Sequence, residues 1–207
     1  MKSSPCSPAA LLLALVLPVL AAPESGGEGF VPLFNGKDLS GWKLRNPNGY
    51  ASWSVKDGEL VNDVSAGKHG TDLVTEKTFK NFVVRCEYKI PKGANSGLYL
   101  RGRHEIQIVD DHGRGKPSKG GNGAIYNQAP VSTFASKPAG EWQTLEATIV
   151  GEKITVVLNG VKVHDQVVSA RATGGQLDEM VGEPGPIMLQ GDHGSIRFRN
   201  LSLKPLP

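Results

Sequence analysis

The chain has 207 residues, 39% of them hydrophobic and 6% aromatic, with 26 glycines, 14 prolines and two cysteines. Its 23 basic and 20 acidic residues give a formal net charge of +3, and the basic ones are scattered apart from a Lys/Arg/Gly loop at 114–119. That pattern excludes the basic footprint of a nucleic-acid binder and a polybasic membrane surface.

Residues 1–22 have the organisation of a secretory signal peptide. Lys2 supplies the positive region, residues 9–20 an apolar run, and Val19-Leu20-Ala21 a small-residue pattern that places cleavage near Ala21 or Ala22. The apolar run is shorter than the ~20 residues that span a bilayer. A Gly/Glu/Ser linker follows at 23–29, and no lipoprotein cysteine stands at the cleavage point. The expectation is a secreted or periplasmic protein with no membrane span once the signal is removed. Roughly 185 residues then remain, enough for one domain with a sizeable core, here residues 30–205. Cleavage removes Cys6 and leaves Cys86 alone, so the core and not disulfides must hold the fold.

Along the chain, short alternating segments are separated by turn signals and no long 3.6-residue stripe occurs, which predicts an all-β protein. An extended segment at 30–33 leads through Asn35-Gly36 into an irregular loop that closes on Trp42. Segments 53–56 and 59–62 flank Asp57-Gly58, a two-residue hairpin signal. A short strand follows at 72–75. Residues 81–90 form the clearest strand, with Phe82, Val84, Cys86, Tyr88 and Ile90 on one face and Arg85, Glu87 and Lys89 on the other.

The next stretch, 95–110, reads as two strands joined by a loop at Gly102-Arg103-His104. In that register Leu98 and Leu100 lie opposite Ile106 and Ile108, on the buried face. The other face sets Arg101 opposite Glu105 and Tyr99 opposite Gln107. A ring, a cation, a carboxylate and an amide on one face suit a sugar, since rings stack on C–H groups and polar side chains read hydroxyls. A polar loop occupies 111–122, a length that compact domains reserve mostly for function. Further strands are predicted at 124–127, 142–150, 153–159 and 161–164, with Asn159-Gly160 as a turn. An irregular stretch at 166–185 precedes strands at 186–190 and 195–203 around Gly191-Asp192-His193-Gly194. About a dozen strands without an internal repeat predict two antiparallel sheets packed face to face.

Nine motifs occur in order: LFNGKDLSGW at 33–42, WSVKDGEL at 53–60, NSGLYLRG at 95–102, EIQIVD at 105–110, GAIY at 123–126, PAGEW at 138–142, LNG at 158–160, GPIMLQ at 185–190 and HGSIRFRNL at 193–201. Together they resemble the 3-keto-disaccharide hydrolase domain family, over nearly all of the chain after the linker. The resemblance implies a two-sheet antiparallel jelly-roll sandwich of the concanavalin-like lectin/glucanase type. It also implies an exported protein acting on sugars whose C3 hydroxyl is oxidised to a ketone. Many relatives carry a lipoprotein cysteine after the signal, which this chain lacks.

A C3 ketone makes the C2 proton acidic and places the C1 leaving group β to the carbonyl. Cleavage by elimination, followed by hydration, needs a base, a stabiliser for the enolate oxygen and an acid for the departing oxygen. Glu105, Asp110, His193 and Arg101 are the catalytic candidates, with Arg101 as enolate stabiliser and His193 as a base near neutral pH. Tyr99, Gln107 and Arg101 are the substrate-binding candidates. The run from Glu105 to Asp110 loosely resembles the Glu-x-Asp-x-x-Glu signature of laminarinase-like glycosidases. Gln107 and the shorter Asp110 depart from it and argue against a retaining double displacement. Strict alternation sends Glu105 and Asp110 to opposite faces unless a bulge forms near Val109. The plainer readings are a Glu105–Arg101 cross-strand ion pair, Tyr99 as packing and His193 as a solvated loop residue. No cofactor is firmly implied; Asp110-Asp111-His112 is compatible with a divalent cation but matches no strong metal signature. The alternative functions are a non-catalytic carbohydrate-binding module, which this sandwich also supports, and a glycosidase acting on unoxidised glycans.

Overall fold

A computed structural model describes residues 27–65 and 67–207, so the predicted signal peptide and residues 23–26 of the linker lie outside the described residues. The described strands are β1 (Val31–Pro32), β2 (Trp42–Leu44), β3 (Trp53–Lys56), β4 (Glu59–Asn62), β5 (Leu73–Thr75), β6 (Phe82–Lys89), β7 (Asn95–Leu100), β8 (His104–Val109), β9 (Gln143–Val150), β10 (Lys153–Leu158), β11 (Val161–Val168), β12 (Met188–Leu189) and β13 (Ile196–Pro205). The larger sheet runs β11-β10-β9-β6-β13-β4-β3, with β1 also on β13; the smaller runs β2-β5-β12-β7-β8. Every pairing is antiparallel. This is the expected two-sheet sandwich. Among the described residues no helix is long and apolar enough to cross a membrane.

The core follows from the period of two. The predicted face of β6 (Phe82, Val84, Cys86, Tyr88) is buried against Leu145, Ala147 and Ile149 of its neighbour β9, and across the sandwich lie Leu98, Leu100, Ile106 and Ile108. Cys86 is a buried free thiol, and burial pushes its pKa far above the ordinary value. In β13 both Ile196/Phe198 and Leu201/Leu203 point inward, although their parities differ. A register shift against β6 between Arg199 and Ser202 supplies the extra residue, with Asn200 at φ 51°.

Three hairpins use paired positive φ angles, which match the twist of antiparallel strands. Asp57-Gly58 (53° and 76°) and Asn159-Gly160 (50° and 81°) are the expected ones. The third is Arg101-Gly102 (55° and 67°), with Arg103 N–H bonded to the Leu100 carbonyl at 3.1 Å. It moves the predicted loop one residue earlier and shifts the β7–β8 register by two. Leu98 therefore faces Ile106 and Tyr99 faces Glu105, not Gln107. The faces survive this shift because two is the period of a strand. Arginine is a poor turn residue, but its guanidinium is anchored by Lys80 O at 2.6 Å, Val181 O at 3.0 Å and Asn81 Oδ1 at 3.3 Å. These contacts outweigh the local backbone cost of about 1–2 kcal/mol.

Two further strand predictions change. The strand at 124–127 is reduced to bridges from Ile125 to Ile106 and Ala129, which cover the outer edge of β8. The strand at 161–164 extends to Val168.

Candidate active site

On the outer face of the smaller sheet, the pairing lines side chains into transverse rows. One row is Glu105 (β8), Tyr99 (β7), Met188 (β12), Val74 (β5) and Lys43 (β2). The next is Gln107 and Gly97, then Gln190, whose N–H bonds to Gly97 O at 2.9 Å, then Asp72 and Arg45. Asp72 Oδ1 accepts the Gly191 N–H at 3.0 Å and Oδ2 pairs with the Arg45 guanidinium at 3.0 Å. Trp53 fixes the approach to β5, its indole N–H bonding to Thr71 O at 2.7 Å.

Glu105 is the centre of this face. Its carboxyl leans into the space left by Gly97, where a Cβ would lie 2.3 Å from Oε1. Oε2 lies 2.9 Å from the Tyr99 hydroxyl. Glu105 is 2% exposed, and burial pushes its pKa up to about 8; the Tyr99 hydrogen bond pulls the other way, and the Asp72 and Asp192 charges add to the rise. Tyr99 is pushed up as well, by burial first and then by Glu105.

Residues 173–183 form a strap over the hairpin end of this face. Thr173 Oγ1 accepts the Glu105 N–H, and the Tyr99 hydroxyl lies 2.9 Å from Gly174 O. Leu177 N–H bonds to Gly102 O at 2.9 Å. Arg45 donates to Gly175 O at 2.8 Å and Gln176 O at 2.9 Å, and Arg103 grips Asp178 through two nitrogens. The strap lies this close because Gly175 (φ +75°) has no side chain: a Cβ there would lie 2.6 Å from the Tyr99 oxygen. Beneath it His104 is bonded to Ser169 Oγ at 2.9 Å and pushed down to about 4, by burial first and then by Arg101, so it is neutral near pH 7.

The sequence candidates do not all meet. Glu105 and Tyr99 are brought together, but the Tyr99 ring packs with Val74, Met188 and Leu177 and offers no exposed face for stacking. His193 sits at the rim with Asp192, whose carboxylate it contacts, in an open depression of about 470 Å3 shared with His69 and Lys68. Gln107 shares the outer face but turns Oε1 back onto the Ile108 N–H at 3.1 Å.

Two candidates are placed elsewhere. Arg101 lies at the hairpin turn and binds loop oxygens, so neither the ion pair with Glu105 nor a position opposite it exists. Asp110 is likewise separate from Glu105: the β7–β8 register runs unshifted through Val109, with no bulge there, and Asp110 accepts the Gly93 N–H at 2.9 Å. Its neighbours are loop pins. Asp111 accepts from Asn122 N–H and the Ser136 hydroxyl, and His112 contacts Ser136 O. Among the described residues no group of three or more His, Cys, Asp or Glu is arranged to hold a metal ion.

Arg45, Asp72, Gln190 and Asp192 escaped the sequence reading. Their one signal is a polar residue at the end of a very short apolar strand, and spacing does not reveal that β5 and β12 land beside β7.

A family model described as a 3-keto-alpha-glucoside-1,2-lyase-like domain matches residues 29–204. A curated 3-keto-disaccharide hydrolase of Bacteroides thetaiotaomicron is 28% identical over 161 residues, covering 63% of this chain and 55% of the relative, so the match spans about half of that protein's length. Two crystal structures from Parabacteroides distasonis ATCC 8503, each described as a candidate glycosyl hydrolase, are similar. One has a TM-score of 0.73 at 25% identity, covering 91% of this chain and 99% of that one. The other has a TM-score of 0.66 at 31% identity, covering 86% and 99%. A beta-glucanase of Bacillus licheniformis shares the fold at a TM-score of 0.54 and 14% identity, covering 88% and 99%. With its sandwich and nearly every residue after the linker accounted for, the chain belongs to the 3-keto-alpha-glucoside-1,2-lyase-like domain family.

Proposed function

We propose that the protein is an exported enzyme that cleaves 3-keto-glycosides, including 3-keto-disaccharides, by elimination and hydration. The observation that carries this reading is the buried Glu105 carboxyl, raised to about 8 and held by Tyr99 on a polar sheet face. A carboxylate of raised pKa is a stronger base than an ordinary one, and near neutral pH a working fraction is still ionised.

The ionised Glu105 takes the C2 proton and the C2–H electrons form the enolate with the C3 ketone. The enolate then expels the C1 oxygen, the C1–O bond breaks, and the departing oxygen takes up a proton. Water adds to C1 of the resulting enone and C2 regains a proton, so the net change is hydrolysis. Arg45, the cation paired with Asp72 on this face, replaces Arg101 as the candidate for stabilising the enolate oxygen. The His193–Asp192 pair at the rim is the candidate proton donor for the leaving group. Glu105 is 2% exposed, so substrate reaches it when the strap at 173–183 is displaced.

The test is incubation of the purified protein with 3-keto-trehalose and with trehalose. Release of 3-keto-glucose from the oxidised sugar alone is the expected result. Cleavage of both sugars would point to an unoxidised-glycan glycosidase, and binding without turnover to a carbohydrate-binding module.

A further inference from the structure

Gln190 is held rigidly beside Gly97. Its N–H bonds to Gly97 O at 2.9 Å and its carbonyl accepts from the Ser96 hydroxyl at 2.9 Å. Its side chain shares the outer face with Tyr99, and Nε2 lies 3.5 Å from the Tyr99 oxygen. The single Tyr99 proton is claimed by Gly174 O or Glu105, both at 2.9 Å, so toward Gln190 that oxygen can only accept. This fixes the amide with its nitrogen toward Tyr99 and its oxygen away from it.

That oxygen has no hydrogen-bond partner, although the residue is only 9% exposed. Asn95 Oδ1, the next outward position along β7 from Gly97, is also buried and unpartnered. Two orphaned amide oxygens thus lie on one face, Gln190 across from Gly97 just past the end of β12 and Asn95 two residues along β7 from it, while Tyr99, Asp72 and Arg45 on the same face are all engaged. A buried acceptor without a partner is destabilising, and a residue needed only for packing could be apolar, as the neighbouring Met188 is.

We propose that Gln190 Oε1, with Asn95 Oδ1 in the next row of the face, accepts a hydrogen bond from a ring hydroxyl of the bound sugar, making Gln190 a specificity-determining residue. An acceptor recognises a donor, so the group read is a hydroxyl and not the ketone. The inference rests on the carbohydrate reading of this site given above.

Gln190→Met keeps length and packing while removing the acceptor, and Asn95→Ala, at a half-buried position, serves as a second variant should the first unfold. The measurement is kcat and KM on 3-keto-trehalose and on its 4-deoxy and 6-deoxy analogues, with thermal unfolding to confirm the fold. The expected result is a rise in KM of about tenfold with kcat changed less than about threefold. One deoxy analogue should show that loss already with the wild type and no further loss with the variant. Unchanged KM, or an equal loss on every analogue, overturns the proposal. If the wild type fails to turn over the oxidised sugar, the catalytic reading falls separately. Calorimetric binding of the same sugars then decides: about tenfold weaker binding by the variant supports the role of Gln190 and equal binding overturns it.

Discussion

The Tyr99 hydroxyl lies 2.9 Å from the Glu105 carboxyl and 2.9 Å from the Gly174 carbonyl, which can only accept. One phenolic proton cannot serve both. A neutral Glu105 resolves the conflict, because it donates to Tyr99 while Tyr99 donates to Gly174. Ionised Glu105 accepts the Tyr99 hydrogen bond instead and leaves the strap carbonyl without it. Burial and the competing Gly174 acceptor therefore both favour a protonated resting carboxyl, against the opposite pull of a Tyr99 hydrogen bond donated to the ionised form.

Glu105→Gln mimics the neutral carboxyl but cannot take a proton. Turnover of a 3-keto-glycoside is expected to fall by about 10²–10⁴-fold with the fold retained, read by steady-state rates and circular dichroism. A variant that keeps a tenth of the wild-type rate removes Glu105 from proton transfer.

The raised pKa of Glu105 has a signed effect on stability. The folded state holds this proton up to about 8, whereas the unfolded chain releases it near the ordinary carboxyl value of 4.5. The stabilisation is therefore full below about 4.5 and is lost as pH rises through about 8, amounting to roughly 2–5 kcal/mol at most. Denaturant titrations of wild type and Glu105→Gln between pH 5 and pH 9 check this. The wild type should lose stability relative to the variant across that range, and parallel curves would contradict the protonated resting state.

Gly97→Ala would place a Cβ 2.3 Å from Glu105 Oε1 and 2.9 Å from its Cγ and Cδ. The carboxyl must move, so kcat/KM should fall by at least about tenfold for a stability cost of roughly 1–3 kcal/mol. Unchanged kinetics would show that the position of the carboxyl over Gly97 is irrelevant to turnover.

Arg45→Ala removes the donors to Gly175 O and Gln176 O. Hydrogen exchange at the Thr173 and Leu177 amides should accelerate, while the amides of β6 and β9 keep their protection. Equal protection in the strap would mean that Tyr99, Arg103 and Thr173 hold it without Arg45.

Arg101→Ala is expected to act on stability. It strands the Lys80 and Val181 carbonyls and puts alanine at a φ of 55°, costing about 2–4 kcal/mol by chemical denaturation. A fully stable variant with reduced turnover would restore Arg101 to the chemistry.

The sandwich was legible because a period of two is written directly into β6, β9 and β10, and Asp57-Gly58 and Asn159-Gly160 announce their turns. Arg101-Gly102 does not announce itself. What makes that turn is a guanidinium tied to residues 80, 81 and 181, and no local rule sees those partners. The sorting of the 95–110 stretch into an apolar and a polar face survived the error because the register moved by a whole strand period. The pairing of Glu105 with Arg101 did not.

By itself the sequence determined the strand faces, the buried Cys86, the family and the position of Glu105 on an outward polar face, all of which depend on alternation and local turn chemistry. Tertiary structure decided the rest. The two- and three-residue strands β12 and β5 bring Gln190 beside Gly97 and Asp72 beside Gln190, and the strap at 173–183 closes over Tyr99 next to Glu105. The elevated proton affinity of Glu105 comes from burial and from the Asp72 and Asp192 charges, contributed by segments far away in the chain. Desolvation and Coulomb interactions depend on distance in space, which strand order sets and spacing along the chain does not.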